Sequence, residues 1–317
     1  MKEAINKLRE MPVALTGLAL GIAGVSGALS NFLGQFPVIV GDLISLFLVT
    51  VIFIKNIFHF NVLKEELSHP TLGSFIPTLD MTVMILGGFI SSYSLIIGRA
   101  IWFLAILAHV IFCSIFFYHR IKDFQMHHIV PSWFVPPVGI VVACVAGANM
   151  GVSSFTHLIF YIGFALYLIM LPFMLYRVMF VQPIDESRLP TFAIMAAPPS
   201  LCLAGYLTVF NTPSEIIIGI LLPLAVFMTL LVYLSFFRIL KISFNPSYAS
   251  LTFPLAIGST ALLKYSNHLY NIGNSYAEFW RYAGIISSTL AFVIISTIFI
   301  KMLIYIKKYI IYKENSL

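Results

Sequence analysis

FNPSYASLTFPLAIG, residues 244–258, decides how this chain is read. A polar turn at Asn245 and Pro246 runs into an apolar stretch of membrane length, and Phe253 and Pro254 lie inside it. Proline has no amide hydrogen to give the Ser250 carbonyl, and its ring crowds that carbonyl, so the pattern predicts a kinked helix. Ala249, Ser250, Ala256, Gly258 and Ser259 surround the expected kink. One bulky ring on a background of small residues suits a plugged narrow conduit. It suits a packing contact between helices too, and that is the commoner fate of an aromatic side chain in a membrane.

The rest of the chain supplies the context. Of its 317 residues 60% are hydrophobic and only 9% charged, against about 25% charged in soluble domains. A soluble fold cannot bury this much apolar surface, so the chain reads as a polytopic membrane protein. It does not open with a charged segment, a short apolar core and a small-residue cleavage site, so its first apolar stretch reads as a retained span. The net charge of +6 is scattered over loops and reports topology rather than nucleic-acid binding. Cys113, Cys144 and Cys202 fall inside apolar segments, odd in number and without metal spacing, which argues against a disulfide framework or a zinc site.

Ten spans of roughly 20 residues are expected, at 12–32, 38–58, 76–97, 99–119, 135–150, 155–177, 191–210, 213–237, 248–267 and 280–306. With the N-terminus cytoplasmic, fifteen Lys and Arg residues fall on the inner side, and only Arg99, Lys264 and Arg281 on the outer. That is a strong positive-inside bias, and it places both termini in the cytoplasm. Outer turns are short and inner connections longer, which pairs consecutive spans into five hairpins.

The two helices of each hairpin differ. Over core windows of these spans, Gly, Ala and Ser make up 34 of 90 residues in the odd set and 18 of 108 in the even set. Small residues let backbones approach closely, so the odd helices belong inside and the bulky even helices outside. Pro12, Pro77, Pro137, Pro198 and Pro254 recur in the odd spans at steps of 65, 60, 61 and 56 residues, a faint five-fold repeat. The expected fold is all-α: ten transmembrane helices as five hairpins, five inner helices around a central pore and five outside. The alternative is a solid bundle whose small residues only tighten packing. The whole chain, 1–317, reads as one transmembrane domain, with 1–11 and 307–317 as cytoplasmic ends of a 12–306 helical body.

Several motifs on this frame carry a resemblance. They are Phe244-x-Pro246-x-x-Ala249-x-x-Thr252-Phe253-Pro254 at the ninth span and His69-Pro70-x-x-x-Ser74-Phe75 before the third. Trp133-x-x-Pro136-Pro137-x-Gly139 at the fifth and Ala197-Pro198-Pro199-Ser200 in the seventh complete the set. In this order, over roughly 12–306, the chain resembles the tellurite-resistance/dicarboxylate-transporter family, which includes bacterial TehA-type channels and the slow-type anion channels of plant guard cells. The resemblance implies a homotrimer with one pore per protomer, occluded by a phenylalanine that falls on Phe253. It implies anion channels or carriers of dicarboxylates such as malate, with tellurite resistance as a side phenotype. The long cytosolic tails of the plant channels have no counterpart here, which puts tail-based phosphorylation control in doubt.

The expected site is therefore a pore gated by Phe253. Pro254, Gly258, Pro137, Gly139, Pro198, Gly17, Gly21, Gly24 and Gly87 are expected to kink or line it. Asp80 and Lys264 are the charges expected at its mouths. Asp80 is read either as pairing with a basic residue or as reaching the interface by snorkelling. Lys264 is read as drawing anions into an outer vestibule or as snorkelling too. An uncharged narrow bore selects by dehydration and favours weakly hydrated monovalent anions such as nitrate and chloride. The expected partners are small inorganic anions and lipid, in a bacterial cytoplasmic membrane, with no cofactor or metal. A coupled malate carrier is the first rival, yet it needs an ionisable group at mid-depth, and His109 is expected to lie on a lipid-facing span. A membrane enzyme is the second, resting on His119, Asp123, His127 and His128. The first three of these step by four, but no nucleophile or phosphate-binding motif accompanies them.

Overall fold

Pairs of prolines and polar turn residues divide the apolar sequence into long plain helices and shorter broken ones. The computed structural model describes residues 2–311, whose regular structure is all helical, with no strand. The long plain helices are α1 (Ala14–Leu33), α2 (Phe36–Phe58), α4 (Leu95–Lys122), α6 (Ser153–Phe180), α8 (Glu215–Ile239) and α10 (Ala277–Ile306). Between them lie α3 (Pro77–Ser91), α5 (Pro131–Ala146), α7 (Ala197–Val209) and α9 (Thr252–Asn271). Among the described residues, eight helical stretches are long and apolar enough to cross a membrane; these include Leu72–Ser91 and Glu186–Val209, which contain α3 and α7. This is a multi-pass membrane protein. The other two expected spans differ for visible reasons. Pro131–Ala146 is short, and α9 carries Lys264, Asn267, His268 and Asn271 in its C-terminal half.

Prolines mark changes of helix type. Pro246–Leu251 is a 3-10 turn, and the α-helix starts only at Thr252. Pro254 therefore sits in the first turn of α9, where a missing amide costs little, and just before it the chain changes from 3-10 to α. Glu186–Ala196 is likewise 3-10 before α7. In α5 the tandem Pro136 and Pro137 remove two backbone donors, and the element alternates between 3-10 and α. The prolines that do lie inside long helices, Pro172 and Pro223, belong to α6 and α8.

Burial separates the two sets as the small-residue count predicts. In α1, Leu72–Ser91 and Glu186–Val209, 72%, 67% and 78% of the apolar window is buried, against 28–33% in the other five. The inner elements close into a ring: α1 packs on α3, α3 on α5, α5 on α7, α7 on α9, and α9 back on α1. Each inner element packs against the long helix that follows it. Gly34, Gly151 and Gly273 take positive φ at three of these inner-to-outer turns.

The basic end of the bundle is tied down by buried cations. Lys55 Nζ donates to Glu66 Oε1 at 2.5 Å and to the Met11 carbonyl at 2.8 Å, with the lysine side chain 1% exposed. Arg120 donates to the Ser68 carbonyl, and Arg177 to that of Gln182 at 2.8 Å. The expected 307–317 tail continues as a π-helical turn over Lys307–Ile311, and Lys313 lies outside the described residues.

Candidate functional site

The ring surrounds a narrow cavity, with only about 30 Å³ open to the centres of water-sized molecules. All five inner elements line it: Gly17 and Leu20 from α1; Phe75, Thr78 and Met81 at α3; Phe134, Val135, Val138 and Gly139 from α5. Ile194, Ala197, Pro198 and Leu201 come from the α7 segment, and Ala249, Ser250, Phe253 and Pro254 from the α9 segment. No lining residue is charged. The two hydroxyls are already engaged: Thr78 with the Phe75 carbonyl at 2.7 Å and with Thr16, and Ser250 with the Ser247 carbonyl at 2.5 Å. The wall therefore offers an ion little to replace its water.

Three rings project from it. Phe253 is 8% exposed and lies beside Gly24, whose missing Cβ would stand 3.7 Å from the ring. Phe75 and Phe134 are buried and come from two of the motifs singled out in the sequence. Those motifs meet each other. The Trp133 indole donates to the Pro70 carbonyl at 2.9 Å, and the hydroxyls of Ser74 and Ser132 lie 2.6 Å apart. His69 Nδ1 accepts the backbone amides of Thr71 and Leu72 at 3.1 and 3.2 Å, shaping the approach to α3.

The expected lining residues divide into two groups. Gly17, Gly139, Pro198, Phe253 and Pro254 are on the cavity. Gly21 and Gly24 instead let α1 and α9 approach: a Cβ at Gly21 would fall 2.3 Å from Thr252, whose hydroxyl lies 3.0 Å from the Gly17 carbonyl. Pro137 is buried within α5, off the cavity. Gly87 faces Gly98 and Trp102 of α4, and Gly258 faces Ser200 and Thr229, so these two serve helix packing rather than the lining.

The two expected mouth charges also part company. Lys264 lies in a second, open and polar pocket of about 260 Å³, with Thr208, Asn211, Asn267, His268 and Asn271 around it. His268 faces Glu215 at 3.2 Å. Asp80 neither snorkels nor faces a mouth. It is 1% exposed, and its Oδ1 is 2.5 Å from Nδ1 of His109. His109, expected to face lipid, is 1% exposed and turns inward from α4; its Nε2 is 2.9 Å from the Pro136 carbonyl. The one sequence signal for this pair was a histidine in the middle of a bulky span, 29 residues from its partner. The histidine cluster also resolves differently. Because α4 ends at Lys122, His119, Asp123 and His127 do not share a helical face.

A family model described as a voltage-dependent anion channel, SLAC1, matches residues 10–303. An uncharacterized transporter of Methanocaldococcus jannaschii is 27% identical over 219 residues, 61% of this chain and 64% of the relative. A second uncharacterized transporter of that organism is 29% identical over 160 residues, 46% of each chain. The tellurite resistance protein TehA homolog of Haemophilus influenzae is 22% identical over 221 residues, 65% of this chain and 66% of the relative. The matches thus span from about half to just under two thirds of these relatives. Because the family model covers the helical body from before α1 almost to the end of α10, the chain belongs to the SLAC1 family of voltage-dependent anion channels.

Proposed function

We propose that this protein is an anion channel of the cytoplasmic membrane, passing small monovalent anions such as chloride and nitrate along the ring, with Phe253 as its gate. The carrying observation is the uncharged, apolar cavity enclosed by all five inner elements, with the Phe253 ring in its wall. The cavity lies within the first two or so turns of those elements. In a ten-span arrangement all five run in one direction, so the partially positive ends of their backbone dipoles gather around it. The arrangement attracts an anion without giving it a tight fixed-charge site. Desolvation against an apolar wall then favours the ions that hold water least strongly. The polar cavity at Lys264 serves as the outer vestibule. Exposed apolar side chains on the outer helices, Phe47, Ile96, Ile216 and Phe237 among them, suit lipid and sister chains, consistent with a homotrimer.

The test is reversal potential. Reconstituted protein in a planar bilayer with a potassium chloride gradient should reverse at the chloride equilibrium potential and carry nitrate at least as well. Reversal at the potassium potential would sink the proposal.

The second reading is a carrier for C4-dicarboxylates or tellurite, coupled to protons. The Asp80–His109 pair favours it, as an ionisable pair buried among the spans. Malate uptake driven by a pH gradient, with no current, would select it.

A further inference from the structure

We infer that His109 is a positioning residue for the pore: by holding both Asp80 of α3 and the Pro136 carbonyl of α5, it fixes the proline-broken part of the cavity wall. This rests on the cavity being the ion path.

The need arises in α5. Its tandem prolines remove two backbone donors, and a helix broken into 3-10 and α pieces lacks the ladder that would hold its shape. Yet α5 supplies Val135, Val138 and Gly139 to the cavity. His109 reaches in from α4 and takes the Pro136 carbonyl at 2.9 Å. A carbonyl only accepts, so Nε2 carries a proton. Nδ1, 2.5 Å from Asp80 Oδ1, then shares a second proton with the carboxylate. Either as imidazolium with carboxylate or as imidazole with carboxylic acid, the pair is neutral overall. A neutral pair behind the wall leaves the cavity free of fixed charge, and both ring nitrogens are held. The fit is tight on the cavity side: a Cβ at Gly139 would stand 3.0 Å from His109 Cε1 and 2.7 Å from the sulfur of Met81, another cavity residue. Glycine at 139 is therefore what lets the imidazole sit directly behind the lining.

The same geometry separates a clamp from a proton relay. In Asp80→Asn the side-chain amide donates to Nδ1 while Nε2 keeps the Pro136 carbonyl, so the clamp survives and the shared proton is gone. In His109→Leu both contacts are lost. The experiment measures the nitrate-over-chloride permeability ratio of wild type, Asp80→Asn and His109→Leu. In parallel, with Cys113, Cys144 and Cys202 replaced by serine or alanine, it measures the rate at which a small thiol reagent modifies Val138→Cys in each background. We expect Asp80→Asn to keep the wild-type ratio within about twofold, and to keep the labelling rate. We expect His109→Leu to change the ratio and raise labelling at least tenfold. Unchanged labelling in folded His109→Leu overturns the inference, and so does transport abolished in Asp80→Asn with the labelling rate unchanged, which is the relay outcome. If no variant, wild type included, passes an anion, the channel reading fails, and the labelling rates still decide the clamp.

Discussion

Replacing Phe253 with alanine should raise anion current by roughly 10- to 150-fold. The ring is 8% exposed, and it lies beside Gly24 in the wall of the cavity. To open the path in the wild type, the ring must leave that packed position for a hydrated one. Exposing a buried phenylalanine costs about 1.5–3 kcal/mol, and each 1.36 kcal/mol is a factor of ten. The open arrangement is then populated at roughly one part in 10 to one part in 150, and alanine removes the penalty. The assay is whole-bilayer current at fixed protein density in symmetric chloride, with the variant's monodispersity and thermal unfolding checked first. Removing the ring costs some stability, so a lowered Tm is expected and does not count against the gate. A folded variant whose current equals that of the wild type refutes the reasoning, because it would mean that the ring does not occlude the path.

Three further outcomes test other parts of the structure. Gly21→Ala places a methyl group 2.3 Å from Thr252 and 2.9 Å from its backbone, which should cost about 1–3 kcal/mol and lower the Tm in detergent. Gly27→Ala, with nothing within 4 Å, should not lower it. Lys264→Gln should reduce inward delivery of anions about twofold at low salt, since a charge some 8 Å away in water is worth about 0.5 kcal/mol; equal currents at low and high salt in both proteins would dismiss the vestibule role. His69 is held below the ordinary histidine range by burial first, then by Arg120, Arg188 and His128. Its folded state is neutral, so the stabilisation it gives is complete above about pH 6.5 and is lost as pH falls towards the depressed value. The Tm should fall between pH 7.5 and 5, and less steeply in His69→Gln.

Much of the fold can be read from composition because a membrane imposes few alternatives. Bulky side chains on α2, α4, α6, α8 and α10 lie on the exposed outside of the bundle, and small ones on α1, α3, α5, α7 and α9 allow close approach; both follow from residue type alone. The motifs around Phe75, Trp133 and Phe253 are legible for the same reason, since each combines an aromatic ring with proline or small neighbours. Gly87 and Gly258 show that a glycine signals close approach without saying to what: one meets α4, and the other meets Ser200 and Thr229. His109 was not legible because its helix is otherwise bulky, and the partner that turns it inward lies on another helix. Lys55 is similar. The sequence shows it only as one of the basic residues of the inner side, and only the fold brings Glu66 and the Met11 carbonyl to it. Pro254 showed where the helix changes but not how, because proline suits the first turn of an α-helix as well as it disrupts an interior.

The inner ring closes within one polypeptide, from α1 round to α9 and back. A conduit on its axis is therefore private to each chain, whatever assembly the chains form. Mixing a blocked copy with an intact one should subtract only the blocked copy's share, so total current should fall in straight proportion to gene dosage. Channels built at the junction of several subunits behave otherwise, because one defective member spoils the shared opening. For this architecture, a loss-of-function allele would be recessive by geometry.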